Sequence, residues 1–175
     1  MVVRVARWGW RVGVVALGFA LFLAGVGVGG AGAAETPAPV RLVRSVSVST
    51  KAVALTFDDG PSPQYTPEVL QLLTRYGARA TFFLIGSQLL RYPQLARQEA
   101  QDGMELANHG ARHLTLQNLD PSAIAQEVKP VEAEITAITG NRPTLYRLPQ
   151  GKGDARSMRA LADLGYTIVY WSTTV

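Results

Sequence analysis

From Val53 to Trp171 short apolar runs alternate with helical segments across short connections, and this alternation restricts the possible fold more than any other feature of the chain. Val53–Phe57, Ala80–Ile85, Met104–Asn108, Leu145–Leu148 and Tyr166–Trp171 read as strands. Thr66-Pro67-Glu68 supplies an N-cap, a first-turn proline and a dipole-matching acid for a helix ending near Gly77. Pro93 to Asp102 reads as a second helix, stopped by Gly103. Asp120-Pro121 opens the longest helix, whose Ile124, Val128, Val131, Ile135 and Ile138 form one core-facing stripe, and Gly140 closes it. Pro130 falls inside this helix and predicts an irregularity near Gln126. Ala155 to Leu164 is the last helix. Such alternation implies an α/β fold with parallel strands and helices packed outside, as a barrel or an open sheet. A closed eight-stranded barrel needs ~250 residues. Five strands cannot close one, which predicts unpaired edges at Val53–Phe57 or Ile168–Tyr170 and a chain cut short at its C-terminus.

The N-terminal residues need separate treatment. Arg4, Arg7 and Arg11 precede an uncharged run from Val12 to Ala34, and Ala31-Gly32-Ala33-Ala34 offers a small-residue cleavage point before Glu35. Residues 1–34 therefore read as an export signal, with an uncleaved membrane anchor over residues 12–34 as the alternative. Both readings predict an exported protein, extracellular or in the cell envelope, that touches membrane only through this segment. The segment holds three of the 17 Lys and Arg and none of the 13 Asp and Glu, so the remainder carries 14 against 13, a net +1. With the basic leader set aside, no Lys/Arg stripe remains to bind nucleic acid. The chain has no cysteine, so a bound metal must be held by histidine and carboxylate. Residues 35–50 read as a lead-in with a weak strand at Val43–Val48, and residues 51–175 as the folded domain.

Three separated clusters then close strand-like runs, where parallel folds place their sites. The first is Thr56-Phe57-Asp58-Asp59-Gly60-Pro61. Side chains alternate along a regular strand, so the adjacent carboxylates suit two different jobs, one holding a cation and the other left free as a base. The second is His109-Gly110-Ala111-Arg112-His113, which contains the only two histidines of the chain. Two imidazoles and one carboxylate would leave a coordination position open, the mark of a catalytic metal site. The third is Arg147-Leu148-Pro149-Gln150-Gly151, in which Arg147 could grip a carboxylate in a bidentate fork while the following turn points a backbone N–H inward.

In these clusters the chain resembles the polysaccharide deacetylase, or NodB-homology, domain of carbohydrate esterase family 4, from about Val53 to Trp171. The resemblance implies an incomplete, distorted parallel (β/α) barrel, of which about five βα units are present. It also implies a metal-dependent hydrolase, usually with zinc, that removes N-acetyl groups from chitin oligomers, peptidoglycan or a similar amino-sugar polymer. Asp58 matches the general base, and Asp59, His109 and His113 match the metal ligands. Arg147 matches the residue that orients the base, and Gln150 the one whose backbone N–H meets the oxyanion. The chemistry does not by itself distinguish Zn2+ from Co2+ or Ni2+.

The chain departs from the family pattern at several points. Gly110 stands where a Ser or Thr usually supports the histidine loop, and Gln150 stands where many members carry an aromatic. The Asp-Trp motif would fall past Val175, and no third histidine supplies the family's general acid. Alternatives to an active hydrolase are therefore a catalytically impaired domain that binds metal and glycan, or a fragment that does not fold stably. An iron oxygenase with two His and one carboxylate uses similar ligands but leaves Asp58 and Arg147 without a role.

Overall fold

The computed structural model describes residues 38–49 and 51–174, and the leader read over residues 1–34 lies outside them. The strands are β1 (Arg41–Val43), β2 (Leu55–Gly60), β3 (Ala80–Leu84), β4 (Glu105–Asn108), β5 (Leu145–Tyr146) and β6 (Thr167–Val169). The helices are α1 (Thr66–Arg75), α2 (Gly86–Arg91), α3 (Pro93–Gln101), α4 (Pro121–Thr139) and α5 (Ala155–Asp163). All strand pairings are parallel, in the spatial order β1-β6-β5-β4-β3-β2. This is the α/β sheet that the alternation of the sequence demands, and parallel pairing brings every strand's C-terminal end to one edge.

Helices cover the outer face of the sheet through two apolar clusters. In one, Phe82, Leu84 and Leu106 of the strands meet Leu70 and Leu73 of α1, Leu89 of α2 and Ala96 of α3. In the other, Tyr146 and Ile168 meet Leu116, Ala160 and Leu161. The stripe on α4 joins them, since Val131 and Ile135 belong to the first and Ile124 and Val128 to the second. Each of these four α4 side chains is fully buried, as the spacing of the stripe predicts. Alternation then sends Phe83, between Phe82 and Leu84, to the opposite face, where the site lies.

Several elements differ from the sequence reading. The first strand occupies Arg41–Val43, not Val43–Val48, because its ladder runs only where β6 offers partners, from Arg41 opposite Thr167 to Val43 opposite Val169. It lies within the stretch read as a lead-in and covers the outer side of β6, so Ile168–Tyr170 is not an open edge; the Tyr170 amide donates to the Val43 carbonyl. β2 is shifted along the chain from Val53–Phe57 to Leu55–Gly60, in register with β3 from Ala80 onward. No strand pairs with its other side among the described residues. The strand expected at Leu145–Leu148 ends at Tyr146, with two residues between it and the 3-10 turn Pro149–Gly151. Helix α2 was not anticipated, since six residues are too few to show a period. α4 stays helical through Pro130 with no break near Gln126, its buried side chains on both sides of the proline holding it in place.

Thr66 is not the N-cap of α1 but its first helical residue. Its hydroxyl accepts the Ser62 N–H and donates to Oε1 of Glu99, a fully buried side chain on α3. The second oxygen, Glu99 Oε2, has no partner among the described residues. Burial pushes the Glu99 carboxyl up to about 8, against the smaller lowering effect of Thr66. The folded protein therefore keeps Glu99 protonated where the unfolded chain releases the proton. Its contribution to stability is fully present below about pH 4.5 and is lost as pH rises to about 8. A Glu99→Gln variant should match the wild type in thermal melts near pH 4 and exceed it by a few kcal/mol near pH 8. A gap that does not widen with pH would contradict this.

Candidate active site

Asp58 and Asp59 sit at the C-terminal end of β2 rather than in a loop beyond it. The ladder pairs Asp58 with Phe83 and Gly60 with Leu84, so Asp59 is an extra residue in a bulge. Its φ of 67° is the left-handed conformation that aspartate tolerates better than most residues. The bulge, rather than simple alternation, therefore separates the two carboxylates. Asp58 turns to Arg147, and Asp59 turns to the two histidines.

His109 follows β4 and is almost fully buried; its Nδ1 lies 2.8 Å from the Arg147 carbonyl oxygen. Only an N–H can face a carbonyl, so Nδ1 carries the proton and the Nε2 lone pair points to Asp59. Burial holds the ring below the ordinary imidazole range, against the raising effects of the Arg147 carbonyl and of Asp58 and Asp59, which keeps it neutral. His113 is partly exposed, has a φ of 59°, and stacks at a tilt on His109 with ring centroids 4.9 Å apart. Between the two histidines the chain is pinned at several points. The Gly110 N–H donates to the Asn108 side-chain oxygen, and the Gly86 and Ser87 amides at the start of α2 donate to the Gly110 and Ala111 carbonyls. A Cβ on Gly86 would lie 3.0 Å from the Ala111 backbone, so glycine permits this approach. Gly110 itself has a φ of 84°, and a Cβ there would lie 3.1 Å from the Tyr146 hydroxyl.

Arg147 is 2 % exposed at the end of β5. Its NH1 donates to Asp58 Oδ1 at 2.6 Å and to Thr56 Oγ1 at 2.9 Å, and its Nε donates to the Val169 carbonyl at 3.2 Å. The guanidinium lies over the Phe83 ring, 4.0 Å from the centroid, with Trp171 at 5.6 Å. The expected bidentate fork does not form: one N–H group serves the carboxylate, while the rest of the guanidinium is turned to carbonyls of the β6 segment. Gln150 sits in the 3-10 turn with a φ of 57° and an exposed side chain, and no hydrogen bond among the described residues joins it to the other five. The structure thus brings together Asp58, Asp59, His109, His113 and Arg147 and leaves Gln150 beside them.

Asp59 Oδ1 lies 3.4 Å from His109 Nε2 and 3.2 Å from His113 Nε2. The three donor atoms lie within 4.8 Å of one another. Ligands at ~2.1 Å in tetrahedral geometry sit about 3.4 Å apart, so the donor set fits a zinc-sized ion. A neutral His109 aiming its lone pair at a carboxylate is repulsive unless a cation lies between them. Thr56 stands in the first cluster without an assigned role, and two residues of this site lie outside all three clusters: Asn108 and the buried Glu127 of α4, which holds Arg112. Glu127 carried a signal, since it lies three residues after Ile124, on the apolar stripe, where an acid needs a partner. An Arg147→Lys variant, with one compact ammonium in place of a fork, should lose the β6 carbonyl contacts and about 2–4 kcal/mol in denaturant unfolding. Unchanged stability would count against a central role for the guanidinium.

Comparison with known proteins agrees with this geometry. The polysaccharide deacetylase family profile matches residues 45–169. A peptidoglycan-N-acetylglucosamine deacetylase of Bacillus cereus is 37% identical over 122 residues, covering 70% of this chain and 57% of that protein. A chitooligosaccharide deacetylase of a Bradyrhizobium species is 37% identical over 124 residues, with the same coverages of 70% and 57%. Among solved structures, a family 4 carbohydrate esterase from Streptomyces lividans in complex with acetate superposes with a TM-score of 0.64 at 35% identity, over 69% of this chain and 62% of that one. The chain thus spans little more than half the length of these curated relatives. Its parallel sheet, the matched span and the motif residues gathered at one sheet edge make this chain a member of the polysaccharide deacetylase family.

Proposed function

We propose that the protein is a metal-dependent hydrolase that removes N-acetyl groups from an acetylated amino-sugar polymer of the peptidoglycan or chitin-oligomer kind. The observation that carries this reading is the convergence of Asp59, His109 and His113 beside the Asp58–Arg147 pair. The names of the two relatives, which act on peptidoglycan N-acetylglucosamine and on chitooligosaccharide, support the substrate class. The composition of residues 1–34 supports an exported protein.

A divalent ion held by Asp59, His109 and His113, zinc in this reading, would supply Lewis acidity toward water and the acetamide carbonyl. Arg147 fixes Asp58 through the 2.6 Å contact, so Asp58 is oriented to take a proton from the attacking water. Asp58 is partly exposed, which leaves an oxygen accessible from the substrate side. The leaving amine must gain a proton, and the one held by Asp58 balances the reaction. The Arg147 carbonyl keeps His109 in the tautomer that offers Nε2. Gln150 is assigned to meet the oxyanion with its backbone N–H, on the strength of its place in the turn after Arg147.

Calorimetry with zinc and acetate release from chitin oligomers and peptidoglycan test this reading on one set of samples. Asp59→Ala should abolish tight zinc binding. Asp58→Asn should keep zinc affinity near the wild-type value while acetate release falls by about 10²–10⁴-fold. Zinc binding without acetate release from either polymer would leave a metal-binding domain and overturn the hydrolase.

A further inference from the structure

His109 and His113 are oriented by different means. The His109 ring is fixed at its second nitrogen by the Arg147 carbonyl. Among the described residues, the His113 ring contacts Asp59 and stacks on His109, but no hydrogen bond reaches its other nitrogen. Its placement must therefore come from the backbone that precedes it. That backbone is Arg112, whose N–H donates to Glu127 Oε2 at 3.0 Å while its Nε reaches Glu127 Oε1 at 2.6 Å. NH2 of the same guanidinium lies 2.6 Å from Oε1.

The Glu127 side chain is wholly buried, whereas the Arg112 side chain is 65% exposed. A carboxylate on an apolar helix face costs stability unless it is fully paired, and its partners here are the main chain and side chain of the residue next to His113. The other loop contacts act on Gly110 and Ala111, and none of them on the residue next to His113. We propose that Glu127 is a positioning residue that sets the metal affinity of the site by fixing His113 through Arg112, as the Arg147 carbonyl does for His109. This rests on the reading of Asp59, His109 and His113 as a metal site. The positive φ of His113 is then held by Glu127.

The test uses the full chain and the fact that it has two histidines, whose imidazoles can be isotope-labelled and followed separately by NMR. Glu127→Gln keeps the volume and removes the charge. It should shift or broaden the His113 ring signals in the metal-free protein and leave those of His109 in place. Zinc binding by calorimetry should weaken about 10–100-fold, the usual effect of losing a group that orients a ligand. If Glu127→Gln does not fold, Arg112→Ala serves instead. Its side chain is exposed and its N–H remains, so it should give a smaller loss of affinity with the same selective change at His113. Unchanged zinc affinity in the folded variant, or equal disturbance of both histidines, overturns the proposal. A wild-type chain that binds no zinc overturns the metal reading itself and this proposal with it, whereas zinc binding lost in Asp59→Ala but untouched by Glu127→Gln overturns this proposal alone.

Discussion

The buried guanidinium of Arg147 is the constraint on which the site depends. A charge at 2 % exposure is tolerated only with partners for its N–H groups, and here they come from β2 and from the segment that continues β6. Its main chain adds two more ties, donating to the Asn108 carbonyl and accepting the His109 imidazole. One residue thus links the ends of β2, β4, β5 and β6 and touches both the base and a ligand. Placement of Asp58 and the tautomer of His109 both come from this residue, the first through its guanidinium and the second through its main-chain carbonyl.

The outer layer reaches the same edge by different chemistry. α4 fills both apolar clusters with one stripe and uses a single acid on that stripe to hold the histidine loop. α2 is short, yet its first two amides pin the carbonyls of that loop. Thr66 and Glu99 form a comparable link behind the turn that follows the aspartates, where the Ser62 N–H, the threonine hydroxyl and the buried carboxyl connect in series. Glu99 has no cationic partner among the described residues, and burial pushes its carboxyl up to about 8.

Most of the site was legible as residue types at fixed spacing. Asp58, Asp59, His109 and Arg147 sit at strand ends, with His113 in the loop after β4, and parallel pairing carries strand ends to one edge however the connections run. The geometry among them was not legible. Alternation alone assigned Asp58 and Asp59 to different directions, whereas a bulge and a positive φ achieve it. The fork expected of Arg147 gives way to one contact with Asp58, because the carbonyls of Val169 at the end of β6 and of Tyr170 just after it take its remaining N–H groups. Thr66 carried the residue type of a cap but spends its hydroxyl on Ser62 and Glu99.

The sequence by itself determined the α/β class, the long core-facing stripe of α4 and the chemical inventory of the site, since hydrophobic period, helix stop signals and the absence of cysteine are local properties. Tertiary structure decided the short elements and the shared contacts. β1 exists over three residues because β6 offers three partners, and α2 sits where Gly86 can approach Ala111. Glu127 supports Arg112 across 15 residues of chain, and Arg147 reaches Asp58 across 89. Hydrogen bonds and ion pairs need separations of about 3 Å, held to within a few tenths of an ångström, between segments remote in sequence, and no local period records such distances.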